Sequence, residues 1–116
     1  MPKATTFAGR KKELIVRGGS NISPQEVEAV LYQHPAVAEA GVIGIPDETW
    51  GEVVVAYVAR KEGISATEAE LIEFAKEQIA AHKVPEKVFF LPSLPKSAIG
   101  KVQRRELKEH YRSAHA

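Results

Sequence analysis

The chain has 116 residues, 44% of them hydrophobic and 27% charged, which fits one globular domain with its own core and excludes an intrinsically disordered chain. No apolar run approaches the ~20 residues of a membrane-spanning helix, and the absence of cysteine rules out disulfides and thiolate chemistry. The net charge of +1 conceals a division: residues 1–17 carry +4, residues 18–95 carry −7 and residues 96–116 carry +4.

In chain order, Met1-Pro-Lys-Ala-Thr-Thr-Phe7 shows no apolar export signal, so a cytoplasmic location is expected, in keeping with the missing cysteines. Residues 13–22 suggest a β-hairpin turning at Gly18-Gly19. Ser23-Pro24-Gln25-Glu26 predicts a helix start, with Ser23 as N-cap, Pro24 at the first position and Glu26 completing a capping box; His34-Pro35 stops the helix. Residues 37–45 and 52–60, rich in Val, Ile and Ala, predict two adjacent buried strands around the turn cluster of residues 46–51. Thr67 and Glu70 form a second capping box, opening a helix that should run to Lys83-Val84-Pro85. Residues 88–91 predict a third short strand, and residues 102–112 return to helical spacing. The expected fold class is α+β, a small, mostly antiparallel sheet of about three strands with helices packed on it, plus the N-terminal hairpin.

Self-sufficient catalytic motifs fail on inspection. Gly100-Lys101 resembles the end of a phosphate-binding P-loop, yet Val102 stands where Ser or Thr must hold magnesium and Pro95 where the first glycine belongs. His34, His82, His110 and His115 form no ligand-spaced pair, so no metal site is expected. A total charge of +1, an acidic middle and eight aromatic residues argue against nucleic acid as a partner. Two glycine-bearing loops flanked by cations remain: residues 9–19, and Pro95-Lys-Ser-Ala-Ile-Gly-Lys101. From the residues alone, each is either an anion-binding loop or a solvated surface turn.

Four stretches, in this order, carry a resemblance: Gly9-Arg-Lys-Lys-Glu-Leu-Ile15, Gly19-Ser-Asn-Ile-Ser-Pro-Gln-Glu-Val-Glu28, Gly44-Ile-Pro-Asp-Glu-Thr-Trp-Gly-Glu52 and Leu94-Pro-Lys-Ser-Ala-Ile-Gly-Lys-Val-Gln-Arg-Arg-Glu-Leu107. Over residues 9–109 the chain resembles the C-terminal domain of the adenylate-forming superfamily of acyl-CoA synthetases and AMP-binding enzymes. The resemblance implies a leader or linker remnant at residues 1–8, a domain at residues 9–116, and a large N-terminal domain of the same enzyme as its partner. It implies a ligase that uses ATP and Mg2+ to turn a carboxylic acid into an acyl-adenylate, then transfers the acyl group to coenzyme A. The isolated chain is expected to be inactive.

By the same resemblance, Lys101 matches the catalytic lysine of the adenylation step, Arg10 an arginine that contacts the nucleotide ribose, and Lys12 the hinge about which the domain swings. Gly18 and Gly19 match the loop that replaces Lys101 at the active site for thioester formation, lining a channel for the pantetheine arm. Trp50 falls near that arm in some relatives, although a lone tryptophan also serves as a packing residue. His82 and Lys83 fall in a variable region that touches the coenzyme A nucleotide in some relatives. Glu28 and Glu52 are family-typical with sufficient structural reasons of their own. An exposed Lys101 would also be open to a lysine acyltransferase, which would delete its charge. A peptide-synthetase adenylation subdomain, whose thiol comes from a carrier protein, is one alternative; Lys12, where such domains usually have aspartate, argues against it. A free-standing, non-catalytic binding module is another.

Overall fold

The computed structural model describes residues 14–115. Strands β1 (Ile15–Arg17) and β2 (Ser20–Ile22) form the hairpin, followed by helix α1 (Pro24–Tyr32). The long strands β3 (Val37–Asp47) and β4 (Gly51–Arg60) come next, then α2 (Glu68–Lys76), a 3-10 turn at Ala81–Lys83, β5 (Lys87–Phe90) and α3 (Arg104–Ala114).

The hairpin does not stand apart. Arg17 pairs with Gly51, which joins it to β4, so the strand order is β2-β1-β4-β3 in one five-stranded sheet. β5 pairs with β4 further along, from Val55–Lys87 to Val58–Phe90, and is the one parallel partner. The sheet is thus mostly antiparallel and the class is α+β, as the sequence predicts.

Side-chain alternation explains why β3 and β4 read as continuous apolar runs. A strand sends successive side chains to opposite faces, so a strand buried on both sides needs apolar residues at every position. Val54, Ala56 and Val58 pack with Val27 and Leu31 of α1 and Leu71 of α2. Val53, Val55, Tyr57 and Ala59 face the other way, against Leu94 and Leu107. The sheet is therefore sandwiched, with α1 and α2 on one side and α3 with the segment leading into it on the other.

Gly41 admits α3 to its face. A Cβ there would overlap Leu107 Cδ1 and stand 3.0 Å from Val102 Cγ1. The absent side chain lets Leu107, fully buried, rest directly on the strand, where burying a leucine is worth about 1.5–3 kcal/mol.

Local signals and structure differ at three points. Ser23 Oγ accepts from the Glu26 amide at 3.4 Å, but the Glu26 carboxylate turns to Lys83 Nζ, 3.1 Å from both oxygens, so the first capping box is half made. The second is complete, with Thr67 and Glu70 each accepting from the other's amide, at 3.1 and 2.8 Å. α2 ends at Lys76, seven residues before the sequence signal. Ala80 is extended (ψ 148°), breaking the helical ladder, and Val84 then packs against Val30 and Ala75. Finally, α3 begins at Arg104 and not at Val102, because Val102 forms an antiparallel bridge with Lys96.

Candidate functional site: two turns at opposite ends of the sheet

The segment before α3 is a small hairpin. Lys96 bridges Val102, the Ser97 amide donates to Lys101 O at 2.8 Å and the Gly100 amide donates to Ser97 O at 2.9 Å. A turn closed by a left-handed glycine is the usual three-residue hairpin loop, and Gly100 has φ +88° with open space around its Cα. A residue with a Cβ would be strained there, which is why glycine precedes Lys101. Ile99 at the tip is 81% exposed. Lys101 is exposed as well, and among the described residues its ammonium has no hydrogen bond or ion pair.

The other lysine of the motif is engaged. Lys96 Nζ lies 2.6 Å from Glu39 Oε2 and donates to Leu94 O at 3.0 Å, while Glu39 Oε1 accepts from the Leu94 amide at 2.9 Å. The hydrogen bond from Lys96, with that of the Leu94 amide, holds the Glu39 carboxyl below its ordinary value against the opposing effect of burial. Beyond the hairpin, Arg104 grips Glu28 bidentately, with Nε to Oε2 at 2.6 Å and Nη2 to Oε1 at 2.7 Å. Glu28 Oε2 also accepts from the Val42 amide at 2.9 Å. β3 is the terminal strand of the order, so this pair wraps its free edge and ties α1 on one face to α3 on the other. Burial under α3, with Tyr111 close by, pushes the Tyr57 phenol above its ordinary value.

The Gly18-Gly19 turn lies at the other end. The Gly18 amide donates to Trp50 O at 2.7 Å, just past the end of β3. Glu39 and Asp47 are eight residues apart on β3, which spans ~26 Å at ~3.3 Å per residue. Gly18 is left-handed (φ +61°) and backs onto the Trp50 ring, with its would-be Cβ 3.3 Å from Trp50 Cε3. Gly19 has nothing within 4 Å of its would-be Cβ, so its backbone is open to an approaching ligand. Trp50, 44% exposed, is held by Asp47 Oδ2, which accepts from the Thr49 and Trp50 amides at 3.0 and 2.9 Å.

Arg17 is a member of this end that the sequence reading missed. Its guanidinium lies 4.3 Å over the Trp50 ring and reaches Glu86 at 3.5 Å. Its partners stand 33 and 69 residues away, and no local pattern joins them. Glu52 fixes the same hairpin, accepting from the Val16 amide at 2.8 Å, so Glu28 and Glu52 both have structural work. His82 and Lys83 sit on the 3-10 turn three or four residues before Glu86 and thus flank this end, with Lys83 occupied by Glu26. Arg10 and Lys12 lie outside the described residues.

Neither glycine turn lines the open cleft of about 570 Å3 beside Arg60 and Phe90 or that of about 320 Å3 beside Gly44 and Tyr111, and no three acidic or histidine side chains converge among the described residues. No helix there is long and apolar enough to cross a membrane. Among the described residues, then, the two turns stand toward opposite ends of β3, one with an unpaired lysine beside a left-handed glycine and the other with open backbone at Gly19.

The chain belongs to the AMP-binding enzyme C-terminal domain family, whose model matches residues 26–101. It is 50% identical over 99 residues to a 2-succinylbenzoate–CoA ligase of Geobacillus kaustophilus and 48% identical over 105 residues to an oxalate–CoA ligase of Arabidopsis thaliana. These matches cover 85% and 90% of this chain but 20% of each relative, so the chain spans about a fifth of their length. Among solved structures it superposes on apo MatB from Rhodopseudomonas palustris with a TM-score of 0.84 at 38% identity, covering 92% of this chain and 21% of that one. On o-succinylbenzoate CoA synthetase (MenE) from Bacillus subtilis, in complex with its acyl-adenylate intermediate, the TM-score is 0.77 at 48% identity, covering 84% of this chain and 20% of that one.

Proposed function

We propose that residues 9–116 are the mobile C-terminal domain of a cytoplasmic, ATP-dependent acyl-CoA synthetase, with residues 1–8 as leader or linker and a large N-terminal domain as partner. The observation that carries this reading is the unpartnered Lys101 where the hairpin loop closes, in the same hairpin as a lysine that is fully engaged. An ammonium with no internal partner is available to the phosphate and carboxylate oxygens of an adenylation step, where negative charge redistributes as the carboxylate attacks the α-phosphate. At ~4 Å and an effective dielectric of ~20 such a contact is worth ~4 kcal/mol, about three orders of magnitude in rate if felt chiefly in the transition state.

The Gly18-Gly19 turn supports a second duty. Its open backbone beside Trp50 and Arg17 suits the passage of a pantetheine arm during transfer of the acyl group from AMP to coenzyme A. Because the two turns lie at opposite ends of the sheet, one pocket can receive them only in turn, and Lys12 is the proposed hinge with Arg10 on the nucleotide ribose. His82 and Lys83 flank the glycine end, where the coenzyme A nucleotide would lie; Lys83 reaches it only by leaving Glu26. The described residues bring together no set of three acidic or histidine side chains, and Mg2+ would be held with ATP mainly by the N-terminal domain. Lys101, exposed and unpaired, also suits a lysine acyltransferase, which would silence the domain by removing the charge.

The test is Lys101→Ala in the full-length polypeptide. Acyl-adenylate formation should fall by about three orders of magnitude, while thioester formation from supplied acyl-adenylate persists. Equal loss of both half-reactions would overturn the assignment.

A further inference from the structure

Lys101 is a long, flexible cation on an exposed turn, and a catalytic cation is useful only when its base is placed. What places it is visible at the stem of the hairpin. Glu39 projects from the start of β3, on the face that carries α3, and engages the incoming strand twice: through the Leu94 amide at 2.9 Å and through Lys96 Nζ at 2.6 Å. Lys96 closes the ring by donating to Leu94 O at 3.0 Å, and it is the residue that bridges Val102 across the hairpin. Both side chains are largely screened, with 25% of Glu39 and 33% of Lys96 exposed. A salt bridge between flexible surface side chains contributes little, whereas a carboxylate that accepts from a backbone amide and a lysine together fixes a backbone direction.

The rest of the hairpin has no comparable tether. Ala98, Ile99, Gly100 and Lys101 are exposed and Ser97 is half-buried; the bonds of the turn are internal, the Lys101 amide to Ser97 Oγ at 3.3 Å with the two backbone bonds described above. The Arg104–Glu28 pair holds the far side, after the chain has entered α3. Removing Glu39 would therefore loosen the stem on its incoming side, where the buried Leu94 and the Gln103 amide bonded to Pro95 O at 2.9 Å remain, while the core, Leu107 and the glycine end keep their contacts.

We propose that Glu39 is a positioning residue, which, through Lys96 and the Leu94 amide, sets the angle at which the hairpin offers Lys101. This rests on the reading of Lys101 given above and extends it to a residue 62 positions earlier in the chain that never meets substrate. Misplacement of a reacting group by ~1 Å can cost ~100-fold in rate, so a slackened stem should reduce the step that uses Lys101 and leave the step that uses the glycine turn.

The experiment has two arms. In the 116-residue chain, limited trypsin digestion followed by mass spectrometry compares cleavage after Lys101 with cleavage after Arg17, the internal control at the opposite end. Glu39→Ala and Lys96→Met should each raise the Lys101 to Arg17 cleavage ratio by about fivefold or more, as expected when local opening governs proteolysis. An unchanged ratio in Lys96→Met, which keeps the carboxylate and the Leu94 contact and so guards against a misfolded Glu39→Ala, would overturn the proposal.

In the full-length polypeptide, Glu39→Ala should lower the single-turnover rate of adenylate formation by about tenfold, with KM for ATP within about twofold and thioester formation unchanged. The double variant Glu39→Ala/Lys96→Met should be no slower than either single one, because both act through one contact. Parallel loss of both half-reactions, or additive losses, would mean a structural role only and overturn the proposal. Lys101→Ala is run alongside. If it spares adenylation while the digestion ratio still rises, the catalytic reading of Lys101 fails and Glu39 stands as the stem's anchor.

Discussion

The two glycine turns are built from similar parts and differ in what their cations do. At Gly18-Gly19 the neighbouring Arg17 is stacked on Trp50 and paired with Glu86, so its charge is spent inside the domain and what the turn offers outward is open backbone at Gly19. At Gly100 the arrangement is reversed: Lys96 absorbs the internal carboxylate and Lys101 is left without a partner. A cation next to glycine is therefore no sign of a site by itself; the informative cation is the one that the fold leaves unused. The same contrast separates charge stabilisation, which needs a free ammonium, from passage of a ligand, which needs an absent side chain.

The comparison breaks most severely where the platform under Lys101 is attacked. Glu28→Ala strips the partner from the Val42 amide and from one side of Arg104, and should cost about 1.5–3 kcal/mol, read as a lower urea midpoint. The Gly18 hairpin does not touch this pair, so early amide exchange at the α3 side with protection retained at Ile15 and Ile22 is the expected pattern.

The two glycines themselves give a smaller, sharper contrast. Gly18→Ala and Gly100→Ala both force a left-handed backbone, at about 1–2 kcal/mol. Gly18→Ala also brings a Cβ against Trp50 at 3.3 Å, while Gly100→Ala meets open space. Thermal unfolding should therefore rank Gly18→Ala below Gly100→Ala; the reverse order would show that the Trp50 contact yields freely.

The smallest effect is in pH. The Glu39 carboxyl is held below the ordinary 4.5 by its hydrogen bond to Lys96 first, then by the Leu94 amide. A carboxyl whose folded value is depressed stabilises the fold above its unfolded value, and that contribution disappears as pH falls through the folded value. Stability measured from about pH 5 downward should thus decline less steeply in Glu39→Gln than in the parent chain, and identical slopes would remove Glu39 from the acid response.

Much of this was legible in the sequence, and the limits have physical causes. Ser23, Thr67 and the apolar runs of β3 and β4 announce their elements because capping and alternation act within a few residues. Gly18 and Gly100 likewise advertise turns that need φ above zero. Pairings that close over long stretches of chain stayed hidden: Glu39 with Lys96 across 57 residues, Glu28 with Arg104 across 76, and β5 beside β4 in parallel. The end of α2 was misjudged because Gln78 and Ile79 continue the helical spacing while Val84 draws the chain into the core. Lys101 was visible as a cation beside glycine and through the resemblance; what the structure adds is that Lys96, unlike Lys101, is paired with Glu39.

The central claim is that the two ends of the sheet serve two different steps, and a crossed pair of variants tests it most directly. Gly19 tolerates a side chain in the fold, with no positive φ and nothing within 4 Å of its would-be Cβ, so Gly19→Phe blocks the open backbone without unfolding the hairpin. With both half-reactions measured in the full-length polypeptide, Lys101→Ala should lose adenylate formation and keep thioester formation, and Gly19→Phe should do the opposite. If the two variants lose the same half-reaction, the division of labour between the two turns is wrong.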